Sequence, residues 1–230
     1  PADPTQMFDG IAGFVRAIPE QLYVMGDPPD YEPGPESSVA SIAAERGVDP
    51  VELLYDLAVE GDGRGLLLLP FFNFVAGNHD VIAEMIQEPG VLFGLSDGGA
   101  HCRLICDASL PTSLLTHWVR DRERGQRIPI ELAVRKQCAE TAAAAGFTDR
   151  GTIEVGKRAD LNVIDLDRLQ LHPPRPVDDL PAGGRRLVQT ASGYVATIVA
   201  GTVTRRNDTD TGARPGRLIR SGVSQRVITR

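Results

Sequence analysis

The stretch Val91-Leu92-Phe93-Gly94-Leu95-Ser96-Asp97-Gly98-Gly99-Ala100-His101 constrains this chain more than any other. A short apolar run, too short for a comfortable helix, stops abruptly at an acid, two glycines and a histidine. Val91–Ser96 reads as a strand buried on both faces, the pattern of a parallel sheet in an α/β protein. An unpaired carboxylate at the end of such a strand is costly, so Asp97 needs a task. Metal binding and proton transfer would each supply one. Gly98 and Gly99 allow positive φ and close approach of the backbone to a substrate. A plain strand-to-loop turn, with Asp97 as the turn former, would use the same residues.

The surrounding sequence extends this reading. Gly65 to Phe74 is a continuous apolar run and reads as a second buried strand, leaving through a loop at Asn73 to Asn78. A helix from about His79 to Gln87 follows and ends at Pro89-Gly90. Strand, helix, strand with short connections is a βαβ unit, so the two strands are expected to be parallel and adjacent. Asn73 and Asn78 lie near the expected strand end, and capping of the next helix accounts for Asn78.

Two helices precede this unit. Ser37 or Ser38 caps a short one through about Glu45, and Gly47 ends it. The next has Asp49 as N-cap, Pro50 at the first helical position, Glu52 completing a capping box and Gly61 after its end. Its Val51, Leu54, Leu57 and Ala58 share one face. Downstream, Pro111 opens a helix to about Arg124, closed by Gly125. Pro129 opens another, which runs into Ala142–Ala145 and ends at Gly146.

From Gly151 the character changes to glycine, proline and β-branched residues. Leu161–Ile164, Leu187–Thr190 and Tyr194–Val199 read as strands, with Ala200-Gly201-Thr202 as a hairpin turn before Val203-Thr204. The expected organisation is an α/β portion over 1–150 with a Pro-rich loop at 26–35, an all-β portion over 151–206, and a tail over 207–230.

Composition narrows the function classes. At 42% apolar and 24% charged residues the chain can build an ordinary globular core. A net charge of -7 argues against general affinity for nucleic acid or an anionic membrane. The strongest apolar run, Leu66 to Val75, is interrupted by Pro70 and Asn73 and is too short to span a membrane. The absence of a secretory signal and the sparse set Cys102, Cys106 and Cys138 point to reduced thiols in the cytoplasm.

Three motifs then act together: Gly94 to His101, the turn-and-strand Asp149-Arg150-Gly151-Thr152-Ile153-Glu154-Val155-Gly156-Lys157-Arg158-Ala159-Asp160-Leu161-Asn162-Val163-Ile164-Asp165, and Tyr194 to Gly201. Their order and spacing resemble the C-terminal half of amidohydrolase-superfamily enzymes, nearest to the N-acyl-D-amino-acid deacylase (D-aminoacylase) branch. The resemblance runs from roughly Leu66 to Arg206. It implies an α/β fold: the last strands and helices of a metal-dependent (β/α)8 TIM barrel, plus part of a small β-sandwich. In such barrels the chemistry sits at the C-terminal ends of the strands, where Asp97 would lie.

The resemblance assigns the chemistry to Asp97. It implies that Asp97 ends the eighth strand, binds a divalent metal, in this family usually zinc, and takes a proton from the hydrolytic water for delivery to the leaving amine. Gly98, Gly99 and His101 would then lie against the substrate, a small-molecule amide. The family's other ligands are a His-x-His pair, a bridging residue and two single histidines. This chain has only His79, His101, His117 and His172, and none forms His-x-His. The chain, whose first methionine is Met7, is therefore expected to be the C-terminal portion of a longer enzyme or one piece of a complex, inactive without its N-terminal barrel portion. Two other readings stay open: a cyclic amidase of the hydantoinase or dihydropyrimidinase kind, and a non-catalytic module that kept the fold. An oligomer is compatible with the sequence.

The remaining candidates have blander readings. His79, His117 and His172 read as ordinary helix or surface residues. Cys102 and Cys106 read as buried thiols. Arg120, Arg122 and Arg124, beside Asp121 and Glu123, read as a solvated helix face, and Arg185-Arg186 as structural.

Overall fold

In the computed structural model the helices before residue 90 begin at the caps that the sequence marks. The structure describes residues 13–63, 65–70, 72–94, 96 and 101–219. In α1 (Val39–Arg46) the Ser38 hydroxyl oxygen accepts the Ser41 N–H at 3.1 Å, and Gly47 closes the helix at φ +68°. Before α2 (Pro50–Gly63), Asp49 Oδ1 accepts the N–H groups of Val51 at 2.8 Å and Glu52 at 3.2 Å. That helix continues past the expected stop, because Gly61 takes a φ of +59° without ending the hydrogen-bonded run. Before α3 (Asp80–Gln87), Asn78 Oδ1 accepts the Asp80 N–H at 3.1 Å.

The two helices after residue 105 are irregular. Helix α4 (110–121) starts as an α-helix at Leu110–Ser113 and widens to a π-helix over Leu114–Asp121. Helix α5 (130–144) has a π segment at Lys136–Glu140 between two α segments. Such bulges re-aim side chains and recur at functional sites. Here they carry His117, Trp118 and Lys136.

Two apolar clusters hold these helices. Ala83, Ile86, Leu114, Trp118, Ile128 and Ala133 join α3, α4 and α5. Leu22, Val39, Ala43 and Leu53 join α1 and α2 to the segment before them. Each large buried side chain contributes roughly 1.5–3 kcal/mol relative to exposure. No helix among the described residues is long and apolar enough to cross a membrane.

The expected βαβ unit is not what the described residues form. Within the 65–74 run only β2 (Leu67–Leu68) is a strand, and it pairs antiparallel with β1 (Tyr23–Val24). Residues 91–94 and 96 belong to no ladder. A strand buried on both faces needs a hydrogen-bonding neighbour on each side, and none flanks that segment among the described residues.

The all-β part follows the sequence more closely. One antiparallel sheet has the order β10-β9-β8-β3, built from β3 (Leu161–Ile164), β8 (Tyr194–Val199), β9 (Thr202–Arg206) and β10 (Thr209–Asp210). Two separate ribbons pair β4 (Gln170–Leu171) with β7 (Ala191–Ser192), and β5 (Arg175–Leu180) with β6 (Gly184–Val188). The expected 187–190 strand is thus the end of β6 and the gap before β7. Residues 211–219 have no regular structure. The described chain is a mixed α/β molecule, with its long helices before residue 150 and most of its strands after it.

Candidate functional site

The approach to Asp97 is held by one buried lysine. Lys136, 2% exposed, donates from Nζ to the carbonyls of Glu88 at 2.7 Å and Val91 at 2.8 Å. The π segment of α5 aims it there, and the Thr141 hydroxyl adds a longer bond of 3.4 Å to the Phe93 carbonyl. Asp97, Gly98 and Gly99 lie outside the described residues. His101 follows them, exposed and at φ +50°, and its carbonyl accepts from the N–H groups of Leu104 and Ile105. Among the described residues it joins no cluster of potential ligands.

The return from that segment is fastened to the strands. The Leu187 N–H donates to the Cys102 carbonyl at 2.7 Å, and Ser109 donates its hydroxyl to Gln189 Oε1. Gln189 Nε2 in turn donates to the Tyr31 hydroxyl at 2.6 Å and the His172 carbonyl at 2.9 Å. Cys102 and Cys106 are half-buried free thiols, and burial, aided by the Asp107 charge, pushes the Cys106 thiol up. Arg185 and Arg186 pair with Asp178 and Asp179, each at 2.7 Å, which agrees with a structural role.

A second site forms at residues that no sequence motif marks. Glu32, in the Pro-rich loop, is 2% exposed. The Arg122 guanidinium forks its carboxylate, Nε to Oε2 at 2.8 Å and Nη2 to Oε1 at 2.9 Å. The His79 backbone N–H also donates to Oε1, at 2.7 Å. His117 Nε2 stands 3.2 Å from Oε2, yet is not aligned as a hydrogen bond. Arg122 further reaches Asp80 at 2.7 Å and lies 5.0 Å over the Trp118 ring. Arg124 holds the loop by donating to the carbonyls of Glu32 at 3.1 Å and Pro33 at 2.6 Å.

This arrangement corrects two expectations. Arg122 is not on a solvated helix face, because the helix stops at Asp121 and Arg122 adopts φ −58°, ψ 122°, which turns its side chain inward. His79 and His117 are not ordinary surface residues: their rings stack edge-on at 6.1 Å beside Trp118, and His79 also meets Phe74 at 4.9 Å. No spacing links Glu32, His79 and His117 in sequence, and only tertiary packing brings them together. Their donor atoms all lie within 4.8 Å of one another, so the three residues could hold a metal ion.

Burial alone would push the Glu32 carboxyl up. The Arg122 hydrogen bonds, the His79 N–H and the charges of Arg122 and His117 outweigh it and hold the carboxyl at about 2. Burial lowers His79 to about 4 against the pull of Glu32, and it lowers His117 in the same way. Both imidazoles are therefore neutral near pH 7.

A family model described as "Amidohydrolase family" matches residues 2–205. The chain is 32% identical over 202 residues to the uncharacterized protein Rv2913c of Mycobacterium tuberculosis (strain H37Rv). The same figures hold for the uncharacterized protein Mb2937c of Mycobacterium bovis. In each case the match covers 83% of this chain and 31% of the relative, so the chain spans about a third of the length of the curated relatives it matches. No solved structure matches it.

Proposed function

This chain belongs to the amidohydrolase family, and from that premise we propose that it is part of a metal-dependent hydrolase cleaving linear amide bonds of the N-acyl-D-amino-acid kind. The observation that carries the reading is the family match over residues 2–205, inside which an apolar segment ends in Asp97-Gly98-Gly99. Residues 1–150 would supply the last strands and helices of a (β/α)8 barrel, and residues 151–206 part of a β-sandwich. The remaining ligands, and the N-terminal barrel portion that carries them, would lie in the rest of a protein as long as the relatives. A cytoplasmic location accords with the reduced thiols.

A divalent metal at such a centre, zinc in this reading, lowers the pKa of water towards neutrality. The Glu32, His79 and His117 cluster does not fit that role. Both carboxylates there, Glu32 and Asp80, are ion-paired to Arg122, so neither is a free carboxylate base for an activated water. No catalytic step is assigned there.

The chain's own contribution is a proton carrier and its mounting. Asp97 takes the proton from the attacking water and delivers it to the departing amine; an amide in its place cannot carry a proton. Gly98 and Gly99 let the backbone approach the substrate, and His101 stands beside them. Lys136 fixes the segment that leads to Asp97. The test is a substrate panel on the family-length protein, N-acetyl-D-amino acids against hydantoins. Asp97→Asn should lower kcat by about 10²–10⁴ on the acyl amino acids. Preference for hydantoins would sink the linear-amide assignment, and an unimpaired Asp97→Asn protein would sink catalysis by Asp97.

A further inference from the structure

The lone pairs around Glu32 do not close. Oε1 accepts two hydrogen bonds, from the His79 N–H and Arg122 Nη2, while Oε2 accepts one, from Arg122 Nε. A carboxylate offers about four acceptor positions, so one remains on Oε2, on the side where His117 Nε2 lies at 3.2 Å. His79 Nδ1 and His117 Nε2 are themselves buried with no hydrogen-bond partner. One potential ligand atom from each of the three residues therefore lies within 4.8 Å of the others.

We propose that Glu32, His79 and His117 form a structural site for a zinc-type divalent cation, which ties the Pro-rich loop to the start of α3 and to α4. Two imidazoles and one carboxylate are the donor set of zinc, cobalt or nickel rather than of magnesium or calcium. Arg122 does not compete for the remaining Oε2 position. It stands as an outer partner to the liganding carboxylate, a common arrangement around metal sites. A groove of about 760 Å³, lined by Tyr31, Glu32, His117, Arg120, Arg124 and Leu171 among others, gives an ion a way in. The site is separate from the Asp97 segment, and it stands or falls independently of the hydrolase reading.

The experiment uses the whole chain, stripped with a chelator and then titrated with zinc. Elemental analysis should find about one tightly held ion per chain. Imidazole nitrogen NMR signals of His79 and His117 should move on addition, while those of His172 stay. His79→Gln and His117→Gln should each weaken uptake by roughly tenfold or more, and His172→Gln, outside the site, should leave it unchanged. Failure to retain zinc overturns the site. So does uptake that survives the double His79→Gln/His117→Gln change, or that is lost in His172→Gln. The NMR arm uses the unaltered chain, so unmoved His79 and His117 signals overturn the site even if a variant fails to fold.

Discussion

At the residue scale, two buried cations do most of the fastening. Arg122 has a fully buried side chain, with Glu32, Asp80 and the Gln126 carbonyl as partners. Removing one member of a buried pair strands the other charge, at a cost of about 3–5 kcal/mol. Arg122→Met should therefore lower unfolding free energy by about 3 kcal/mol in urea titration, and a loss below about 1 kcal/mol would show the pair is not desolvated as drawn. Lys136 is the second case. Lys136→Met keeps the length of the side chain and leaves the Glu88 and Val91 carbonyls without their donor. A drop of about 2 kcal/mol is expected, with faster amide exchange at 88–93 than at α1. Unchanged exchange would dissociate Lys136 from that segment.

At the scale of elements, the second and third motifs explain each other. Asp160, the acid of the Gly156-Lys157-Arg158-Ala159-Asp160 turn, accepts the Ala200 N–H on Oδ1 at 2.8 Å, and the Ala159 carbonyl accepts the Gly201 N–H at 3.0 Å. Arg158 fixes that carboxylate at 2.8 Å. The motif is thus a clasp on the β8–β9 hairpin and not a catalytic device. Its turn places Ala200 at φ +49° and Gly201 at φ +78°, as a type I′ turn requires. Alanine is strained there and asparagine is not. Ala200→Asn should raise stability by about 0.5–1 kcal/mol without loss of the hairpin. A destabilised variant in thermal denaturation would count against the turn type.

At the scale of the whole molecule, acid should unfold the metal-stripped chain in two overlapping stages. His79 titrates at about 4 when folded, against 6.5 when unfolded. Between those values the unfolded chain binds the extra proton, so stability falls as pH drops from 6.5 towards 4. Glu32 titrates at about 2 when folded, against 4.5 when unfolded. Its contribution is present above 4.5 and is lost as pH falls towards 2. Denaturation midpoints taken at steps between those limits should decline throughout, and His79→Gln should shrink the upper stage to the share of His117 while sparing the lower one. A midpoint that rises on acidification through the upper stage would reverse the assigned burial of His79. Both stages act on the junction between the Pro-rich loop and helices α3 and α4.

The sequence by itself determined the local features: the caps Ser38 and Asp49, the stops at Gly47 and Gly146, and the strands Leu161–Ile164 and Tyr194–Val199 with their turn. These are set by contacts within a few residues, which a linear pattern records. It also carried the family, because the motifs from Gly94 to Gly201 are contiguous. Only the tertiary structure decided the fate of Glu32, His79, His117 and Arg122. They are separated by up to 90 residues, and each taken alone has the look of an ordinary polar position. Helix α4 ends one residue before Arg122, and that single change of backbone direction puts a charge that reads as solvated into the protein interior. The same limit applies to the 65–74 and 91–96 runs. An apolar run states that it will be buried, and the neighbour that supplies its hydrogen bonds is chosen by the rest of the fold.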